Sequence, residues 1–172
     1  LGQVVTNFLG FARPTELALA PVEMTALVER AADELRADVR TRGGEVIVSG
    51  QFGRVEGDEV LLRQALSNLC RNAFEACDQA GIVPRIVIEG HWDEVHGVLR
   101  ISVSDNGPGV PDNVADRVFR PFFTTKAQGT GLGLALVQKI VVTHNGRVTV
   151  TNDDGGGARF VVTLPASIRP IS

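Results

Sequence analysis

Nothing in this sequence marks a membrane span, an exported chain or a nucleic-acid surface. No apolar run approaches the roughly 18 to 20 residues that a helix needs to cross a bilayer, and no leader pattern of basic, apolar and small residues is present. Seventeen Lys and Arg face twenty Asp and Glu, a net charge of -3, so there is no basic excess to bind phosphate backbones or anionic lipid. Cysteine is scarce: only Cys70 and Cys77, seven apart on one predicted helix. That is about two turns, too far for a disulfide within a straight helix, so both read as small buried hydrophobes in a reducing compartment. No internal repeat is visible. The only Met is Met24 and the chain starts at Leu1, which reads as a fragment of something longer.

What is present is an ordinary globular balance, 44% hydrophobic and 22% charged over 172 residues, enough for one domain and a short appendage. Apolar residues at Val4, Val5, Phe8, Leu9 and Phe11 form one helical face, ended by Arg13-Pro14. Its stripe calls for partner helices. Leu17–Ala20 is a candidate short strand. Val22–Arg40 is an amphipathic helix stopped by Gly43-Gly44, and Glu45–Ser49 alternates like a strand. Arg54–Gly57 is a second short strand. Asp58 is a good N-cap for a long helix over Glu59–Ala80 closed by Gly81. Arg85–Trp92 and Val98–Asp105 read as a hairpin, and Pro111–Ala127 as irregular with a turn of helix at Asp112–Val118. Thr130–His144 reads as a helix ended by Asn145-Gly146, and Arg147–Thr151 with Ala158–Leu164 as a last hairpin. Paired strands with helices between them predict an α+β two-layer sandwich, one mixed sheet with helices on one face.

Four stretches carry chemistry. Leu99, Ile101, Val103 and Asp105 alternate onto one face of a strand, so Asp105 enters the core side, where a carboxylate costs several kcal/mol unless partnered, order of magnitude. It is either a turn-initiating Asp bonded to its own backbone or a buried acceptor for a nucleobase amine. Gly107 and Gly109 permit positive φ and close approach of a ligand. Gly129, Gly131 and Gly133 open a helix and place free N–H groups where a phosphate could sit. Neither the dinucleotide fingerprint nor the Walker loop fits this cluster. Asn68 and Asn72 lie one helical turn apart on one face, opposite the apolar side marked by Leu62, Leu66, Leu69, Ala73 and Ala76. They are either a structural amide network or oxygen donors for a hard cation such as Mg²⁺. Lys126 falls between the glycine clusters.

Taken together, these stretches resemble the histidine-kinase ATP-binding domain. Asn68-Leu-Cys-Arg-Asn72-Ala-Phe-Glu-Ala76 resembles its N box, Asp105-Asn-Gly-Pro-Gly109 its first glycine box, Phe119-Arg-Pro-Phe-Phe-Thr-Thr-Lys126 its F box, and Gly129-Thr-Gly-Leu-Gly-Leu134 its second glycine box. The Phe-Phe-Thr-Thr-Lys form and Asn7-Phe-Leu-Gly-Phe-Ala-Arg-Pro14 resemble the nitrogen-regulation type of two-component sensor kinase. The resemblance implies a Bergerat ATP-binding fold. It divides the chain into residues 1–14 as the end of a dimerisation and phosphotransfer helix, 15–166 as the catalytic domain and 167–172 as a tail.

It also implies roles. Asp105 would bond the adenine amine with Gly107 and Gly109 beside it. Asn72, assisted by Asn68, would hold Mg²⁺. Gly131 and Gly133 would lie at the phosphates, with further nucleotide contacts at Thr125, Gly129, Thr130 and Leu132. Lys126 would contact phosphate from a mobile lid, and Arg71 matches a position that is often basic near phosphate. Relatives that hydrolyse ATP carry a Glu where this chain has Asn68; an amide cannot act as a base toward water, so transfer to a protein nucleophile is favoured. Arg120 stands where this type often has an acidic residue. None of His91, His96 or His144 sits in a phosphoacceptor-like helix, so all three read as structural or solvent-exposed. The implied partners are ATP, the chain's own dimerisation and phosphotransfer domain and a response-regulator receiver domain, in the cytoplasm, with no nucleic acid. The rivals on the same fold are an ATP-hydrolysing machine, a serine-directed kinase and a non-catalytic nucleotide-binding module.

Overall fold

The structure is a computed structural model and describes residues 17–121 and 133–166. A short strand β1 (Ala20–Glu23) leads directly into helix α1 (Met24–Thr41). Then come β2 (Glu45–Gly50), β3 (Arg54–Gly57), helix α2 (Glu59–Gln79), β4 (Arg85–Asp93) and β5 (Val98–Ser104). Helix α3 (Gly133–Thr143), β6 (Arg147–Asn152) and β7 (Ala158–Pro165) complete the order. The first strand lies three residues later than the sequence predicts, because Pro21 and Val22 extend to pair with β3, and α1 starts correspondingly late, at Met24. That β1–β3 ribbon is a small sheet of its own.

The main sheet has five strands in the order β2-β4-β5-β7-β6. β2 runs parallel to β4, and every other pairing is antiparallel. The sheet is therefore mixed and mostly antiparallel, as expected. Period-two alternation sorts its two faces. Ile86, Ile88, Leu99, Ile101, Val103, Phe160 and Val162 point inward and are buried; they meet Leu27, Leu35, Leu69, Ala73, Leu136, Val137 and Ile140 from the helices. The three helices form one layer and the sheet the other.

Exposed ion pairs line the seam between α1 and α2. Arg30 meets Glu59 at 3.3 Å, Glu34 accepts from Ser67 at 2.9 Å and faces Arg63 at 4.0 Å, Asp38 meets Arg71 at 3.1 Å, and Arg42 meets Asp78 at 2.6 Å. Positions 30, 34, 38 and 42 share one face of α1, and their partners rise in the same order along α2, so the two helices run parallel. Among the described residues no helix is long and apolar enough to cross a membrane.

Candidate active site

Asp105 continues the inward alternation of β5 past its last strand residue and is 5% exposed. Its Oδ1 accepts from the Gly107 amide at 2.9 Å and the Ala158 amide at 3.3 Å. Its Oδ2 is buried and has no partner. The turn-capping reading is thus met by one oxygen, and the other oxygen is left bare. Burial pushes the carboxyl above the ordinary carboxylate value; the Gly107 and Ala158 amides pull the other way, and the charge of Asp153 adds to the rise.

The glycines around it have separate causes. Gly109 has φ +83°, and a Cβ there would lie 2.8 Å from Asn152 Oδ1. Gly107 is not in the left-handed region; its Cβ would lie 3.0 Å from Asp105 Oδ1 and close to Ala76 of α2. The missing side chain at 107 thus lets the turn approach the carboxylate and the helix closely, rather than freeing the backbone angle.

Asp58 caps α2 as expected, accepting from the Leu61 amide at 3.1 Å. On that helix Asn68 Nδ2 is buried and unpartnered, and it is the only such side-chain atom besides Asp105 Oδ2 among the described residues. A Cβ on Gly133, the first residue of α3, would lie 3.9 Å from Asn68 Oδ1. One end of α2 therefore faces Gly107 and Asp105 through Ala76, and its middle faces the start of α3 through Asn68. Eight residues separate the two, about 12 Å of helix. Asn72 lies between, one turn from Asn68. Arg71 is turned elsewhere: its guanidinium pairs with Asp38 on α1 and lies 5.7 Å over the Phe74 ring.

A family model described as histidine kinase-, DNA gyrase B-, and HSP90-like ATPase matches residues 57–168. The chain belongs to this family. Within it, the kinase branch supplies the relatives. The sensor histidine kinase ZraS of Escherichia coli K12 is 34% identical over 170 residues, covering 98% of this chain and 36% of its own length. The chain thus spans about a third of the curated relatives it matches. The catalytic domain of histidine kinase ThkA, in a nucleotide-free form, superposes with a TM-score of 0.77 at 30% identity over 86% of this chain and 95% of that one. Full-length ShkA in complex with AMPPNP gives a TM-score of 0.82 at 30% identity over 95% of this chain and 35% of that one.

In this histidine-kinase-like ATPase domain, Gly107 and Asp105 lie beside Ala76 of α2 and Gly133 lies beside Asn68, whereas Gly109 lies against Asn152. Thr125, Lys126, Gly129, Thr130, Gly131 and Leu132 lie outside the described residues, as does the amphipathic stretch at 1–14. Two asparagines that motif reading passed over hold the segment around Asp105 and Gly109 together. Asn106 accepts from the Arg85 amide at 2.7 Å and from the Cys77 thiol at 3.3 Å, and donates to the Val83 carbonyl at 2.9 Å. Asn152 accepts from the Val110 amide at 2.8 Å and donates back to its carbonyl at 2.6 Å. Asn106 stood within the quoted motif, whereas Asn152, at the end of β6, carried no local signal. Phe119, the first residue of the F box, packs edge-on against Phe160 of β7 with ring centres 6.0 Å apart.

Both cysteines are buried and unpaired. Burial, with a contribution from Glu34, pushes Cys70 up to about 12 against an opposing effect of Arg71. Burial and then the charge of Asp105 raise Cys77. His91 and His96 are exposed, and His96 pairs with Asp93 at 2.8 Å. His144 is buried. None of the three neighbours a helical carboxylate as a phosphoacceptor would.

Proposed function

We propose that this domain binds ATP together with Mg²⁺ and presents the γ-phosphate to a histidine on the helical phosphotransfer domain of the same sensor kinase. The observation that carries the reading is the bare, buried Oδ2 of Asp105. Burying a carboxylate oxygen without a partner costs on the order of 1 to 3 kcal/mol, and a nucleobase amine is the donor that would recover it. An oxygen acceptor there selects adenine over guanine, which presents a carbonyl at the same ring position. AMPPNP in the ShkA complex fits the same reading.

The site also suits a magnesium ion. No group of three or more His, Cys, Asp or Glu that could hold a metal occurs among the described residues. The oxygen donors in this reading are the side-chain amides of Asn72 and Asn68, matching an ion that keeps most of its waters and arrives with phosphate oxygens. Bound there, Mg²⁺ would neutralise charge developing on the transferred phosphoryl group. The protein's own contribution is position: Asp105 fixes the base, the backbone at the start of α3 faces the phosphates, and Lys126 adds a cation. With Asn68 where hydrolysing relatives carry Glu, no carboxylate at that position activates water, so the phosphoryl group waits for a protein acceptor. The acceptor histidine, the dimeric helical domain and the response regulator belong to the rest of such a kinase, and a cytoplasmic location goes with them.

Calorimetric titration tests the binding step. ATP is expected to bind more tightly with Mg²⁺ than without, and GTP hardly at all. Equal affinity for ATP and GTP would remove the role of Asp105. Phosphotransfer to an added phosphotransfer domain then tests the chemistry; steady release of phosphate without any acceptor would favour the hydrolysing rival.

A further inference from the structure

The ring of His144, just past the end of α3, has both nitrogens engaged. Nδ1 lies 2.8 Å from the Ile140 carbonyl, and Nε2 accepts from the Asp58 amide at 2.9 Å. A carbonyl can only accept and an amide N–H can only donate, so these partners fix a neutral ring with its proton on Nδ1. Asp58 itself joins three parts of the chain. Its amide donates to His144, its Oδ1 caps α2, and its Oδ2 accepts from the Ala18 amide at 3.0 Å. The preceding Gly57 leaves room for the ring: a Cβ there would lie 2.9 Å from His144 Cδ2 and 2.7 Å from Leu62 Cδ1.

The two helices so joined also meet at the other end of α3, where Gly133 faces Asn68. From Asp58 to Asn68 is ten residues, about 15 Å of helix; from Gly133 to His144 is eleven, about 16.5 Å. The helices therefore lie side by side in opposite directions with matched contact lengths. The His144 bond closes one end of this rectangle, and the proposed phosphate end of the nucleotide site is the other. A slide of α3 along α2 at the closed end displaces Gly133 from Asn68 and Asn72 by the same distance.

We infer that His144 is a positioning residue: through Asp58 it sets the spacing between the start of α3 and the asparagines of α2, and so the affinity for the phosphates and metal but not for the base. This rests on the ATP reading above. Three variants separate its parts. His144→Leu removes both hydrogen bonds while filling the space. In His144→Asn the side-chain amide reaches only the Ile140 carbonyl, whereas in His144→Gln the side-chain oxygen reaches the Asp58 amide.

Each is titrated calorimetrically with MgATP and with adenosine, alongside circular dichroism. Leu and Asn variants are expected to bind MgATP roughly tenfold more weakly, with adenosine affinity unchanged and Gln restoring most of the loss. Folded Leu and Asn variants with unchanged MgATP affinity, or with equal losses for MgATP and adenosine, overturn the inference and leave the ATP reading standing. No MgATP affinity in the unmodified chain overturns the ATP reading and this inference with it. Should the Leu variant not fold, hydrogen exchange on the unmodified chain decides, because coupling between two sites is reciprocal. MgATP is expected to slow exchange at the Asp58 amide more than adenosine does, and equal slowing overturns the inference.

Discussion

Asp105 and His144 are both polar, both buried, 5% and 8% exposed, and both stand at the end of a regular element. They differ in what they leave unmade. Each hydrogen-bonding nitrogen of His144 has its partner within the fold. Asp105 has one oxygen doubly bonded to backbone amides and the other bare. Burial of a polar group is tolerated when its bonds are made, and a bond left open inside the fold is a cost carried without ligand. The first arrangement holds helices together; the second leaves one oxygen open, and the proposed base contact rests on it. Burial alone does not separate the two, whereas the count of satisfied atoms does.

Substitution at the open end tests this contrast most sharply. Asp105→Ala is expected to weaken ATP binding by roughly a hundredfold, from loss of a charged hydrogen bond, with circular dichroism unchanged; unchanged affinity would mean that the bare oxygen is not the base contact. Asp105→Asn is expected to weaken ATP binding less, yet to raise the melting temperature of the ligand-free chain at neutral pH; an unchanged or lower melting temperature would contradict the carboxylate's burial cost.

The sign follows from the raised carboxyl. The folded state holds that proton more tightly than the unfolded chain does, so this residue's contribution to stability improves as pH falls through the raised value, is fully present below the ordinary one, and is lost as pH rises through the raised value. ATP affinity runs oppositely, since protonation removes the acceptor. It should decline on acidification starting at a pH above the ordinary 3.8 of the group, and the Asn variant should lack that decline. An identical acid profile for both would place the titration elsewhere.

Asn72→Ala is expected to cost roughly tenfold in ATP affinity, and only when Mg²⁺ is present; an equal loss with chelator would make Asn72 a nucleotide contact, not a metal ligand. Smaller effects belong to groups outside the contrast. Cys70, raised to about 12, carries almost no thiolate at pH 8, so iodoacetamide should leave it unmodified in the folded chain and label it after denaturation. Arg30→Ala, at an exposed pair on the α1–α2 seam, should shift the melting temperature by less than about 2 °C, and by less still in high salt.

The sequence carried the elements of the described residues well because each is a local pattern. The alternation of Leu99, Ile101 and Val103 located Asp105 on the core side, and the Asp58 cap located the start of α2. What stayed hidden depended on contacts between distant residues. Nothing near Asn152 or His144 in the chain announces Val110 or Asp58, which lie 42 and 86 residues away. The pairing of β1 with β3 was missed for the same reason: two four-residue strands state no partner. Neighbouring residues on a helix point about 100° apart, so Arg71, next to Asn72, turns to α1 and finds Asp38, a contact that no local pattern states.

The last hairpin bears on how the site is assembled in time. The Asp105 amide donates to the Ala158 carbonyl at 3.0 Å, the Ala158 amide returns to Asp105, and a Cβ on Gly157 would lie 1.8 Å from the Asp105 carbonyl oxygen. β7 also inserts between β5 and β6, so the strand that carries Asp105 keeps an unpaired edge until residues 158–165 arrive. During synthesis all four motifs leave the ribosome before the strand that bonds Asp105. A nascent chain ending at Gly146 would carry all four motifs and still leave Asp105 without Ala158. Placement of the Asp105 carboxylate is thereby deferred until the domain is nearly complete.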